Sequence, residues 1–138
     1  MIGLVIVTHG RLCAELRATL EHVVGRQSQL ELVSIATETD AERDRARLDE
    51  AVRQVDTGDG VVVVTDMFGA PASDLAIPLM NERKLKLEVI GGVNVPILIK
   101  LASVRRSGCS IADAVNAALE SGRKHIRHYP ESAAPLSS

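Results

Sequence analysis

Aromatic side chains are nearly absent from this 138-residue chain: it has one phenylalanine, one tyrosine and no tryptophan. Hydrophobic residues still make up 46% of it, so the core must be built from Val, Leu, Ile and Ala. Cysteine is scarce too. Cys13 and Cys109 form no C-x-x-C pair. So large an aliphatic core needs no disulfide, and both cysteines read as reduced small hydrophobes of a cytosolic protein. An excess of either charge is missing, since 16 Lys and Arg against 18 Asp and Glu leave a formal net charge of -2. Without a global basic field, nucleic acid is not expected as the main partner. No apolar run approaches the ~20 residues that cross a bilayer, and the first run lacks the basic flank of a signal peptide. The expectation is a cytoplasmic protein whose membrane role, if it has one, comes through a partner. The length suits one domain over residues 1–129. Residues 130–138 read as a disordered Ser/Ala/Pro tail. There are no internal repeats and no linker to a second domain.

The chain is organised around Leu4-Val5-Ile6-Val7-Thr8-His9-Gly10. An apolar, β-branched run stops abruptly at a histidine and a glycine. Parallel strands covered on both faces have this unbroken pattern, and open α/β sheets bind ligands at the carboxyl ends of their strands. His9 is therefore the candidate for the reactive atom.

The remaining segments alternate strand and helix. Ile2–Thr8 is the first strand. Leu12, Leu16, Leu20, Val23 and Val24 recur at helical steps, and Gly25 supplies the stop. Leu30–Ala36 is a shorter strand suited to an outer position. Thr39-Asp40-Ala41-Glu42 has capping-box spacing and opens a helix with Leu48, Ala51, Val52 and Val55 inward. Its opposite face is the charge run Glu42–Arg53, which reads as solvated. Asp56–Gly60 is turn chemistry. Val61–Thr65 is the most β-branched strand, placed centrally, and it ends at Asp66. Met67–Ala72 reads as a loop, followed by a helix to about Asn81, with a kink or early break near Pro78. Leu85–Ile90 is a fourth strand, stopped by Gly91-Gly92. Asn94 caps a short helix that has Pro96 in its first turn. Val104–Gly108 reads as a loop. Ser110-x-x-Asp113 opens the last helix, with Gly122 at its end. Lys124–Tyr129 reads as a short final strand.

This order predicts an α/β fold: a doubly wound, mainly parallel sheet of four strands, plus a short antiparallel C-terminal strand, with helices on both faces. Right-handed crossovers place strands 1 and 3 side by side, with strand 2 outside strand 1. His9 and Asp66 then meet at the switch point. A carboxylate that accepts a hydrogen bond from one imidazole nitrogen fixes the tautomer and leaves the other nitrogen's lone pair free. That nitrogen can be a nucleophile, a base or a metal ligand. Gly10, Gly69, Gly91 and Gly92 let backbone N–H groups approach an anion, and the amino end of the helix after His9 adds positive dipole. A nucleophilic nitrogen beside an anion cradle suits phosphoryl transfer. Arg11 can neutralise phosphate charge there, or simply be solvated. His22, His125 and His128 lie far from strand ends. The basic residues around the last two read as a solvated strand edge.

Val5-Ile6-Val7-Thr8-His9-Gly10, Thr65-Asp66-Met67-Phe68-Gly69 and Gly91-Gly92-Val93-Asn94-Val95-Pro96 together resemble the mannose-family enzyme IIA components of the bacterial phosphotransferase system. The similarity runs from the first strand through the last helix. The resemblance implies that His9 accepts a phosphoryl group from the phosphohistidine of the phosphocarrier protein HPr. It implies onward transfer to a IIB component, which serves sugar uptake through membrane permease subunits. No cofactor is implied. Asp66 matches the histidine-orienting carboxylate, and Gly10, Gly69, Ala70 and Ser73 fall where the phosphoryl group is held. Phe68 matches an aromatic position near the site and, with Arg11, is a candidate for partner docking. The family also implies a homodimer that exchanges its final antiparallel strand, here Lys124–Tyr129.

One stretch departs from the pattern. Family members commonly follow Phe-Gly with a second glycine, a hydroxyl residue, Pro, Ser and Asn, where this chain has Ala70-Pro71-Ala72-Ser73-Asp74. Proline at 71 donates no N–H, and Asp74 facing the pocket would repel a phosphoryl group. Three functions stay open: a sugar phosphocarrier, a regulator that uses the same chemistry on a protein partner, and a tetrapyrrole metal chelatase. The third is disfavoured, because no second histidine sits at a strand end.

Overall fold

In the computed structural model, which describes residues 1–36, 40–67 and 86–130, the unbroken apolar runs form the middle of a sheet. Strand β1 (Gly3–His9) pairs in parallel with β3 (Val61–Thr65), and both are buried along their length until His9 emerges. Strand β2 (Leu30–Ile35), with its mixed burial, lies outside β1, and β4 (Leu87–Ile90) lies outside β3. The order is β2-β1-β3-β4. All three ladders are parallel, as the alternating strand–helix pattern requires.

Four described helices cover the sheet: α1 (Leu12–Val24), α2 (Ala41–Val55), α3 (Val95–Val104) and α4 (Ile111–Lys124). Alternation along the central strands sends Leu4, Ile6, Val62 and Val64 toward α1, α3 and α4. Val5, Val7, Val61 and Val63 face α2 through Leu48, Ala51, Val52 and Val55. A fully buried Val, Leu or Ile contributes about 1.5–3 kcal/mol, so aliphatic side chains suffice without aromatic ones.

Several expectations are corrected in detail. In α1 only Cys13 and Leu20 are buried, with Leu16 partly so; Leu12, Val23 and Val24 are exposed. The helix needs only a narrow stripe against the sheet. The cap of α2 is Asp40, whose carboxylate accepts from the N–H groups of Glu42 and Arg43. Gly122 does not stop the last helix. It lies inside α4, where a Cβ would sit 2.4 Å from Cγ1 of Ile97, so its smallness lets α3 and α4 approach. The helix continues to Lys124, with Arg123 and Lys124 in the last turn complementing its dipole. The final strand expected over Lys124–Tyr129 is therefore not among the described strands: Lys124 is helical and residues 126–128 are in neither helix nor strand. An extended segment becomes a strand only by pairing with a sheet edge, and the described order β2-β1-β3-β4 does not include this one. The helix expected after Met67, with Pro78, falls outside the described residues, as does the tail from residue 131.

Arg105, in the stretch read as a loop, is instead the largest fully buried side chain among the described residues. It caps α3 and crosses beneath the amino ends of β1 and β2. Its guanidinium donates to the carbonyls of Ile2, Gln29 and Ser28 and to Oε1 of Gln27.

Candidate functional site

The register decides where the site forms. Val7 lies level with Thr65, so β1 runs two residues past the end of β3 and brings His9 beside Asp66. Fifty-seven residues of sequence separate the two, yet Nδ1 of His9 lies 2.8 Å from Oδ2 of Asp66. The same oxygen accepts the backbone N–H of His9 at 3.1 Å. Oδ1 accepts the N–H of Met67 at 3.0 Å. An ionised carboxylate only accepts, so the ring hydrogen is on Nδ1 and the lone pair is on Nε2. The histidine side chain is 44% exposed and that of Asp66 14%. Nε2 therefore belongs to an open ring whose other nitrogen is engaged.

Burial, the largest single influence on the Asp66 carboxyl, raises its pKa. The bonds from the His9 ring, the His9 N–H and Met67, with the attraction of the ring, together outweigh it, and the carboxyl lies below its ordinary value. Asp66 is ionised at neutral pH and able to face a ring that becomes positive.

Gly10 follows His9 with φ +56°. A Cβ there would meet nothing within 4 Å, so the left-handed turn rather than crowding calls for glycine. The turn leads directly into α1, whose first residues have no side-chain cap from Arg11. The open N–H groups at that end carry partial positive charge. Across the crevice, the N–H of Val93 donates to the Thr65 carbonyl at 2.9 Å, tying the loop after β4 to the end of β3. Asn94 holds that loop further, capping α3 through Ile97 N–H and donating to the Gly122 carbonyl at 3.1 Å.

The structure thus brings together His9, Asp66 and Gly10, with Arg11 exposed next to them. Phe68, Gly69, Ala70 and Ser73 lie outside the described residues. His22 is in the last turn of α1, and His125 closes α4, its Nδ1 against the Ser121 carbonyl. Among the described residues no group of three or more His, Cys, Asp or Glu side chains is placed to hold a metal ion. Sequence reasoning passed over Ser34, whose hydroxyl donates to the Gly10 carbonyl. A polar residue at the carboxyl end of the strand beside β1 was the available signal.

These features define a doubly wound α/β protein with a carboxylate-held imidazole at the switch point of its parallel sheet. The chain belongs to the phosphotransferase system (PTS) fructose IIA component family, whose model matches residues 3–119. Such components are phosphotransferases acting in the sugar phosphotransferase system. The chain is similar to the PTS system mannose-specific EIIAB component of Escherichia coli strain K12, with 28% identity over 126 residues. That match covers 91% of this chain but only 39% of the relative, so the chain spans about two fifths of that protein's length. In structure it is similar to phosphotransferase system component EIIA from Streptococcus agalactiae, with TM-score 0.87, 22% identity and coverage of 95% of this chain and 99% of that one. The mannose/sorbose-specific IIA subunit from Enterococcus faecalis gives TM-score 0.82 and 19% identity, covering 99% and 98%. These two likenesses show a shared fold. Among the described residues no helix is long and apolar enough to cross a membrane.

Proposed function

We propose that His9 accepts a phosphoryl group on Nε2 from the phosphohistidine of HPr and passes it to a IIB component. The observation that carries this reading is the 2.8 Å bond between Nδ1 and Asp66, which commits one nitrogen of an exposed ring and leaves the other as nucleophile. In the loading step the Nε2 lone pair forms the bond to phosphorus as the donor nitrogen–phosphorus bond breaks. The donor ring keeps the electron pair. His9 gains positive charge, which the Asp66 carboxylate faces, and Nδ1 keeps its hydrogen. The amino end of α1 adds favourable dipole for the phosphoryl oxygens. Gly10 is the described part of the phosphoryl cradle. Gly69, Ala70 and Ser73 complete it by family resemblance, and Arg11 and Phe68 meet the partner. The chain acts as a single cytoplasmic IIA domain over residues 1–129 that serves permease subunits only through IIB. Incubation with phosphoenolpyruvate, enzyme I and HPr is expected to give an acid-labile, base-stable phosphate on the protein. Onward transfer to a IIB protein separates transport from a purely regulatory role.

Asp66→Asn is expected to slow phosphorylation about 10- to 100-fold with the fold retained, because a neutral amide neither enforces the Nδ1–H tautomer nor balances the ring's charge. Quench-flow labelling at the wild-type rate contradicts the assignment. The sign of the stability effect also follows. A carboxyl below its ordinary value of 3.8 stabilises the fold fully above that pH, and the contribution is lost as pH falls through the folded value. Wild-type thermal stability is therefore expected to fall off below about pH 4, and Asp66→Asn to lack that part of the decline.

The segment after α4 supports a homodimer. Ile126 and Tyr129 are 73% and 90% exposed, and β4 is an edge strand. A second copy's segment lying along that edge buries both. Light scattering is expected to give twice the chain mass at micromolar concentration; a monomer refutes the pairing.

A further inference from the structure

We propose that Ser34 is a positioning residue for His9, acting through the carbonyl of Gly10. The inference deepens the reading of His9 as phosphoryl acceptor and rests on it. Ser34 is at the carboxyl end of β2, in register with Thr8. Its hydroxyl donates to the Gly10 carbonyl. The N–H of Gly10 in turn donates to the carbonyl of Ile35, the next residue of β2, at 3.0 Å. Both backbone polar groups of the residue after His9 are thus held by one neighbouring strand.

That grip matters because Gly10 is the softest point beside the imidazole. A glycine at φ +56° has more alternative conformations than any other residue, so the turn must be fixed by its partners. The strand doing the fixing is itself anchored. β2 is an edge strand, but Nη1 of Arg47 on α2 donates to the Ser34 carbonyl at 2.8 Å. Asp66 holds His9 from the β3 side through the ring and the backbone N–H. Ser34 holds the following residue from the β2 side. In-line transfer needs the Nε2 lone pair aimed at phosphorus, and misplacements near 1 Å cost on the order of 100-fold. A hydrogen bond that fixes the turn therefore acts on rate more than on partner affinity.

The test uses the full chain and two readouts. With phospho-HPr as donor, Ser34→Ala is expected to lower kcat about tenfold with KM within about twofold, and Ser34→Thr, which keeps the hydroxyl, to restore it. By nitrogen-15 NMR without any donor, the His9 Nδ1–H is expected to exchange with water several-fold faster in Ser34→Ala and at the wild-type rate in Ser34→Thr. Should Ser34→Ala fail to fold, Ser34→Cys, which keeps the size but weakens the donor, is read in the same way. An unchanged kcat, an unchanged Nδ1–H exchange rate, or a Thr variant as impaired as Ala overturns the proposal. If the wild-type protein takes no phosphate from HPr, the acceptor role of His9 fails instead, and the NMR arm still decides whether Ser34 holds the ring.

Discussion

His9→Gln is expected to abolish phosphoryl acceptance, with labelling from phospho-HPr reduced by at least about 10³-fold. The fold should be untouched. The ring is 44% exposed, outside both core clusters, so its loss should cost no more than about 1 kcal/mol, mainly through the bond to Asp66. Glutamine keeps a polar side chain of similar reach but has no nucleophilic nitrogen. His22 is in the last turn of α1, whose first turn follows Gly10, and Nδ1 of His125 lies against the Ser121 carbonyl. A variant that still takes up acid-labile phosphate while folded would remove His9 from the mechanism. A variant that unfolds would contradict the exposure on which this separation of activity from stability depends.

Arg105→Ala should have the opposite profile: a large loss of stability at a position remote from the chemistry. Arg105 is 1% exposed, and among the described residues its guanidinium donates to neutral acceptors: three backbone carbonyls and the Gln27 side chain. Burial is the larger cause, and neighbouring Arg106 the smaller, of a pKa lowered to about 10, which leaves it charged at neutral pH. Hydrogen bonds from charged donors contribute roughly 1.5–3 kcal/mol each and do not add fully, so the expected loss is about 3–5 kcal/mol. For a chain of this size that lowers Tm by roughly 10–15 °C. Arg105→Lys should recover only part of it, because one ammonium cannot span acceptors arranged for a fork. Arg105→Met distinguishes the causes. If the methionine variant is as stable as wild type, desolvation of the charge cancels its hydrogen bonds and the clamp stabilises nothing. Phosphorylation measured well below the new Tm should stay within about twofold of wild type in all three, since Arg105 sits at the amino end of the sheet and His9 at the carboxyl end.

What could be read from the sequence followed its strongest periodicities. Val61–Thr65 and Gly3–His9 are central and buried because β-branched runs with no polar alternation can only be covered on both faces. Once strands 1 and 3 are adjacent, the meeting of His9 and Asp66 follows from both standing at the carboxyl ends of those strands. What could not be read depends on contacts between distant segments. Arg105 looked like loop because a charged residue shows no apolar period, and the carbonyls that bury it belong to residues 2, 28 and 29. Gly122 looked like a helix stop because local sequence cannot distinguish a terminating glycine from one pressed against Ile97. Ser34 belongs to no motif, and its role depends on register with Thr8. Lys124–Tyr129 read as a short strand, but Lys124 ends α4 and the segment is not part of the described sheet.

One oxygen of Asp66 grips both the main chain and the ring of His9, and that leaves the imidazole a single approachable nitrogen. Two macromolecules cannot share one lone pair. Any relay through this ring must run by turns: an arriving donor has to depart before a recipient can dock, and an excess of either should compete with the other for the same doorway.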